Sequence, residues 1–203
     1  MFPHIGKLSC LKTLNVYTVN PEKGHSLVEL RDLNLGGKLE IRGLRNVGSL
    51  SEVEEANLIG KKDLNELCLS WWHEDSSVKP PIISDDRVFE VLQPHTNLKG
   101  LKIYHYQGLC FPSWIRTLGN LVTLTVKDCF LCERFLSLGK LPSLKKLQLF
   151  SIKYLDDDEF DNGAEVRNFP SLEILTLTNL PNLEGLLKVE RGEMFPCLSI
   201  LNI

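Results

Sequence analysis

Leu98-Lys-Gly-Leu-Lys-Ile103, Leu121-Val-Thr-Leu-Thr-Val126 and Leu144-Lys-Lys-Leu-Gln-Leu149 are one phrase, Leu-x-x-Leu-x-Leu, repeated at a spacing of 23 residues. Outward from these three copies the phrase returns as Leu64-Leu67-Leu69 and Leu11-Leu14-Val16 towards the N-terminus. Towards the C-terminus it returns as Leu172-Leu175-Leu177 and Leu198-Leu201-Ile203. A degenerate copy, Leu39-x-Ile41, has Gly36 in the first leucine slot. Counted from the middle leucine, the steps along the chain are 25, 28, 34, 23, 23, 28 and 26 residues.

Self-similarity at this period specifies a leucine-rich repeat solenoid. The expected fold is therefore α/β: a horseshoe of about eight coils with a parallel concave sheet and an irregular or short-helical convex side. Each phrase forms a short strand whose leucines point inward, because successive strand side chains face opposite ways. The residues between the leucines then face solvent and form the natural binding surface. By that register the outward positions include Tyr17, Lys38, Glu40, Arg42, Trp71, Lys102, Tyr104, His105, Lys127, Asp128, Lys146, Gln148 and Phe150. Aromatics exposed among charges are the composition of interface hot spots. The expected protein-binding set is Tyr17, Arg42, Trp71, Lys102, Tyr104, His105, Lys127, Asp128 and Phe150. The competing reading is that some of these pack against neighbouring coils, Trp71 foremost.

At 203 residues, 43% apolar and 24% charged, the chain can fill one core and keep its surface wet. A net charge of −3 is too small to argue for nucleic acid or a membrane surface. No apolar run approaches the ~18 to 20 residues of a spanning helix, and neither a signal-peptide stretch nor an Asn-x-Ser/Thr sequon occurs. Cys10 and Cys197 both precede the first leucine of a repeat, so about seven coils separate them. At ~5 Å per stacked strand that is far beyond the ~7 Å between α-carbons a disulfide allows. Cytoplasmic, reduced cysteines fit best.

Two of the returns read as helical. Ser49-Leu-Ser-Glu52 is a capping box ahead of Val53 to Lys62, with Val53 and Ala56 on one face. Ser84 or Asp85 caps Arg87 to Gln93, where Val88, Val91 and Leu92 share a face and Pro94 ends the helix. The polar, Pro-rich stretch from His73 to Pro81 is the expected surface excursion. Residues 1–203 read as a single repeat domain that stops in mid-coil at Ile203. A solenoid needs polar caps, so the expectation is a piece of a longer receptor, aggregating or melting broadly when expressed alone.

Several phrases go beyond generic repeats. Val28-Glu-Leu-Arg-Asp-Leu-Asn-Leu-Gly-Gly-Lys-Leu-Glu-Ile-Arg-Gly-Leu-Arg-Asn-Val47 is followed by Leu67-Cys-Leu-Ser-Trp71, Val91-Leu-Gln-Pro-His-Thr-Asn-Leu-Lys99 and Phe111-Pro-Ser-Trp-Ile115. Leu138-Gly-Lys-Leu-Pro-Ser-Leu-Lys-Lys-Leu147 and Phe169-Pro-Ser-Leu-Glu173 complete the order. In that order the chain resembles the leucine-rich repeat region of plant coiled-coil, nucleotide-binding disease resistance proteins. The resemblance implies a recognition module of an intracellular immune receptor. Its implied partners are the receptor's own nucleotide-binding domain, a pathogen effector or a guarded host protein. No phosphate-binding Gly-x-x-x-x-Gly-Lys-Ser/Thr occurs, so nucleotide chemistry is not implied for this chain.

Catalytic and metal constellations are missing from the sequence, and an enzyme with its cofactor is not expected. Cys129-Phe-Leu-Cys132 has no second pair for zinc and does not open a helix beside a strand for redox work. Cys129 reads instead as the repeat position where the chain leaves the strand. The acidic run Asp156 to Gly163 misses the calcium-loop pattern and reads as a solvated loop able to dock a partner. The alternative function is a stand-alone adaptor, such as the substrate-binding part of a ubiquitin ligase, which would need an F-box-like segment that this sequence does not contain.

Overall fold

The computed structural model describes residues 3–72, 81–132, 138–152, 169–181 and 195–203. Eight strands form one sheet in sequence order, every neighbouring pair parallel. They are β1 Val16–Thr18, β2 Gly37–Arg42, β3 Leu64–Ser70, β4 Gly100–Tyr104, β5 Thr123–Lys127, β6 Lys146–Phe150, β7 Ile174–Thr178 and β8 Ile200–Asn202. The leucine phrases set the register: Leu39, Leu67, Leu101, Leu124, Leu147, Leu175 and Leu201 are paired strand to strand. Ile41, Leu69, Ile103, Val126, Leu149 and Leu177 make the second inward row, each at most 2% exposed. The solenoid fold expected from the repeats is the fold observed.

The ends of β2, β4, β5, β6 and β7 follow one rule. Gly43, His105, Asp128, Ser151 and Asn179 occupy the same place in their coils and all have positive φ, between 52° and 72°. That turn swings the next side chain (Leu44, Tyr106, Cys129, Ile152 or Leu180) back into the core or against it. At the other rim, in four coils the residue before the first leucine ties its coil to the one before. Asn97 and Asn120 donate through Nδ2 to the carbonyls of Lys62 and Thr96, at 3.1 and 3.0 Å. Ser171 and Cys197 do the same to Pro142 and Pro170, at 2.7 and 3.2 Å.

The returns differ from expectation in their lengths. The Ser49–Glu52 capping box is present, but it opens α1 at Leu50–Glu55, and the chain leaves the helix at Asn57, whose φ is +50°. A 3-10 turn, Leu58–Gly60, takes up part of the remaining expected span, which ran to Lys62. Helix α2 is Asp85–Val91, two residues earlier than expected, with Ser84 before it and Phe89 added to the buried face. His73 to Pro80, nearly all of the expected excursion, and the acidic run Asp156 to Gly163 lie outside the described residues.

Between β3 and β5 a cluster of aromatic rings joins the leucines of the core. Phe89 is the hub, with ring centroids 5.1 Å from Trp71, 4.9 Å from Tyr106, 6.0 Å from Phe111 and 5.5 Å from Trp114. All four contacts are edge-to-face, the geometry ring quadrupoles favour. The Tyr106 hydroxyl donates to Asp86 Oδ1 at 2.8 Å and lies 2.6 Å from the Cys110 carbonyl. The same carboxylate oxygen accepts the backbone N–H groups of Leu109 and Cys110. Burial, reinforced by Asp86, holds the Tyr106 phenol well above its ordinary pKa.

Two expected surface residues belong to the core. Trp71 is 1% exposed and Tyr17 is 0% exposed, so neither lies on the open face of the sheet. Trp71 turns inward because the residue at the strand-end place, Trp71 itself, is not left-handed. Alternation simply continues through Leu67, Leu69 and Trp71, and Trp71 N–H bonds the Tyr104 carbonyl at 3.0 Å. Tyr17 turns inward because β1 is shifted by one residue from the Leu14–Val16 reading. Tyr17 pairs with Ile41, its hydroxyl donates to the Ser26 carbonyl at 2.7 Å, and Val16 faces solvent at 36% exposure. A one-residue slip exchanges the two faces of a strand. The larger ring, with its hydroxyl satisfied, takes the core.

Candidate functional site

The face of the sheet turned away from the core is built from three rows of side chains. The first row runs Lys38, Glu66, Gly100, Thr123, Lys146 and Ile174 across β2 to β7. The second is Val16, Glu40, Cys68, Lys102, Thr125, Gln148 and Thr176. The third joins Tyr104, Lys127, Phe150 and Thr178 on β4 to β7. Thr18 and Arg42 extend it on β1 and β2. Strand alternation alone puts these residues together, at ~4.8 Å from strand to strand.

Charge is not evenly spread over this face. On β2 and β3 it is compensated: Lys38 meets Glu66 at 2.9 Å, and Arg42 donates to both Glu40 oxygens at 2.7 and 3.1 Å. On β4, β5 and β6 it is not. Lys102, Lys127 and Lys146 have no ion-pair partner within 4.0 Å among the described residues. Tyr104 and Phe150, both half-buried, flank Lys127 in its row. Burial, with Cys68 and Glu40 nearby, raises the Tyr104 phenol above its ordinary pKa, and the Cys68 thiol is pushed up to about 12 for the same first reason.

Where β1 to β4 end, the face deepens into a groove of about 990 Å³ lined by Thr18, Asn20, Arg42, Trp72, Tyr104 and His105 among others. Trp72 is 55% exposed and its ring lies 4.8 Å from the His105 imidazole. His105 Nδ1 is 3.6 Å from Asp128 Oδ2. His105 and Asp128 therefore sit at consecutive left-handed strand ends rather than within the rows, joined to each other along the rim. Trp72 is the aromatic that reading the repeats overlooked. Continuing the alternation past Leu69 would have exchanged Trp71 for Trp72.

Of the nine residues expected to bind protein, Arg42, Lys102, Tyr104, Lys127 and Phe150 share the open face, and His105 and Asp128 border it. Tyr17 and Trp71 do not reach it.

Cys129 and Cys132 are buried, and the Cys129 thiol, pushed up to about 12 by burial, sits 3.4 Å from the Lys127 carbonyl. A thiol held in that form packs as a small apolar group and is a poor nucleophile. No group of three or more His, Cys, Asp or Glu positioned to hold a metal ion is found among the described residues. Nor is any helix among them long and apolar enough to cross a membrane.

Residues 27–152 match the family model for R13L1/DRL21 leucine-rich repeats. RGA1 and the disease resistance protein RGA2, both of Solanum bulbocastanum, are 38% and 37% identical over 202 and 204 residues, 97% and 95% of this chain. The disease resistance RPP13-like protein 1 of Arabidopsis thaliana is 33% identical over 205 residues, 92% of the chain. The chain spans only about a fifth of these relatives: 20%, 21% and 19% of their lengths. An internalin (inlF) from Listeria monocytogenes is a looser likeness, with a TM-score of 0.39 at 16% identity over 87% of this chain and 56% of that one. With its repeat register, its ordered motifs and its match to the family model over residues 27–152, the chain belongs to the R13L1/DRL21 leucine-rich repeats, the repeat type of plant disease resistance proteins.

Proposed function

We propose that this chain is the non-enzymatic recognition module of a plant intracellular immune receptor, and that the open face of β4 to β6 is where it binds protein. The observation that carries the reading is the continuous solvent-facing surface on which Tyr104, Lys127 and Phe150 stand in one row. Rigid parallel strands hold these side chains in fixed register, so a partner meets a preorganised surface and little ordering entropy is lost. The partner is the receptor's own nucleotide-binding region at rest, or a pathogen-derived or guarded host protein on activation. Exchange of one for the other shifts a resting state towards an active one without chemistry in the repeats, provided the two bind the two states unequally. Six cysteines outside any disulfide, two of them sealed in the core, suit work in the reducing cytoplasm.

The test is association in trans. The chain, co-expressed with the nucleotide-binding region of its own gene product, should co-precipitate it. Phe150→Glu should abolish the association, whereas Ile59→Glu, at a position 55% exposed and off the sheet, should leave it intact. A gene product with no nucleotide-binding region, together with no association in trans, would sink the reading.

A further inference from the structure

We propose that the patch made by β4, β5 and β6 takes an acidic, extended segment of a protein partner, anchored by an apolar side chain between Tyr104 and Phe150. The proposal rests on the open face being the recognition surface and names the chemistry of what it recognises.

The nine outward positions of these strands are Gly100, Lys102, Tyr104, Thr123, Thr125, Lys127, Lys146, Gln148 and Phe150. Three are lysines and none is an acid, although the whole chain has 26 acidic against 23 basic residues. From strand spacing and rise, their α-carbons form a triangle with sides of about 8, 12 and 14 Å. Those distances are close to the ~10 Å over which salt at 0.1 M screens a charge. The three ammonium groups therefore repel one another, with no acid within ion-pair distance among the described residues to relieve them. The acids bordering the patch are engaged by other cations. Glu66 is drawn to Lys38, Glu40 to Arg42, and Glu173 to Lys145 beside the patch. An arriving carboxylate meets three lysines that no acid among the described residues holds in an ion pair, although Glu66 and Asp128 border the patch, and charge complementarity of this kind selects partners.

Geometry narrows the ligand further. Lys102 and Lys127 are about 8 Å apart, close to the ~7 Å between alternate residues of an extended chain, so carboxylates two residues apart reach both. Tyr104 and Phe150 lie two strands apart, about 10 Å, with Lys127 between them, which leaves room for one apolar side chain over the lysine stem. Thr125 Oγ1 and Gln148 Oε1, hydrogen-bonded at 3.3 Å, close the floor of the patch and keep polar groups available to a backbone. A nucleic acid fits less well. Three cations bordered by Glu40 and Glu66 cannot follow a phosphate backbone, whose affinity grows with each neutralised phosphate.

The experiment uses the whole 203-residue chain and four fluorescent probes. These are a peptide of alternating Asp and Glu around one Phe, its Asn/Gln counterpart, its Lys counterpart, and a single-stranded oligonucleotide of the same charge as the acidic peptide. Fluorescence anisotropy at low salt should show roughly tenfold preference for the acidic over the amide peptide, as expected for three exposed pairs, and high salt should erase it. The combined change Lys102→Glu, Lys127→Glu and Lys146→Glu should reverse the preference towards the Lys peptide, a gain that misfolding cannot imitate. Lys127→Gln alone should lower the preference by about threefold. Lys7→Glu, Lys23→Glu and Lys140→Glu together, all exposed and off the sheet, should leave it unchanged. Equal binding of acidic and amide peptides, an equal loss in that control, or an oligonucleotide bound as tightly as the acidic peptide each overturns the proposal. If the charge preference is absent but Tyr104→Ala and Phe150→Ala still break the association in trans, only this inference falls. If those changes are silent too, the recognition face itself was misplaced.

Discussion

Replacing Phe89 by alanine should destabilise this protein more than removing any single repeat leucine, and the structure says by how much. Phe89 is fully buried on α2 and holds Trp71, Tyr106, Phe111 and Trp114 edge to face. Truncating a buried Phe costs about 3–5 kcal/mol in transfer and cavity energy. Each aromatic pair adds roughly 0.5–1.5 kcal/mol in isolation, but the four share one ring and overlap, so the top of the range, about 5 kcal/mol, is expected. With an m-value of about 2 kcal/mol/M, the urea midpoint should fall by about 2.5 M. Phe89→Leu keeps most of the volume but loses the ring contacts, and should cost about 1.5–2.5 kcal/mol. Ile82→Ala, at a position 80% exposed, should lie within ~0.5 kcal/mol of the parent. Denaturation followed by far-UV and near-UV circular dichroism reads all three. A Phe89→Ala midpoint within ~0.5 M of the parent would show that the ring cluster is not where α2 is fastened to the sheet.

Four further outcomes follow from particular residues. Tyr17→Ala should cost about 3–5 kcal/mol in the same assay and Val16→Ala under ~0.5; the opposite order would restore the Leu14–Val16 register. Alkylation read by mass spectrometry should modify Cys10, Cys110 and Cys197 first and leave Cys129 and Cys132 untouched until the protein unfolds; early labelling at Cys129 would contradict its burial. The Cys68 and Cys129 thiols, raised from 9.0 to about 12 in the fold, keep their protons where the unfolded chain loses them. The stability they contribute is thus complete below pH 9 and lost as the pH climbs from about 9 towards 12. The urea midpoint should drop over that window, and a Cys68→Ala, Cys129→Ala double variant should flatten the drop. Asn120→Ala should cost about 1 kcal/mol by cutting the tie to the Thr96 carbonyl, and a neutral result would deny the rim ladder a role in stacking coils.

How much of this was legible beforehand depends on whether one residue or several decide a feature. The sheet order and the inward rows were readable because the leucines at 101, 124 and 147 recur in the same slot, and each copy corroborates the next. Tyr17 was not readable, because β1 offers two registers one residue apart, Leu14–Val16 and Tyr17–Val19. Hydrophobicity alone favours neither; only the hydrogen bond from the Tyr17 hydroxyl to Ser26 and pairing with Ile41 separate them. The strand-end turns were hidden for another reason. Glycine announces a positive φ at Gly43, but His105, Asp128, Ser151 and Asn179 adopt it without that signal, the first three held by backbone N–H bonds to the next coil and Asn179 by its side-chain bond to Ser151.

The same logic explains why the candidate site was half legible. Alternation identifies which residues face out, so Lys102, Tyr104, Lys127 and Phe150 follow from the leucines beside them. It does not say which charges are already spent. Lys38 and Lys146 stand in the same row and look equivalent in sequence, yet Lys38 is paired with Glu66 while Lys146 has no such partner among the described residues. The difference arises from what the adjacent strand presents. Beside Lys38 stands a glutamate, whereas beside Lys146 the neighbours in the row are Thr123 and Ile174. A solenoid's binding specificity is therefore a property of pairs of coils and not of any one repeat. A charge becomes available to a partner only where two successive repeats fail to supply its complement, and in this chain that condition is met on β4 to β6.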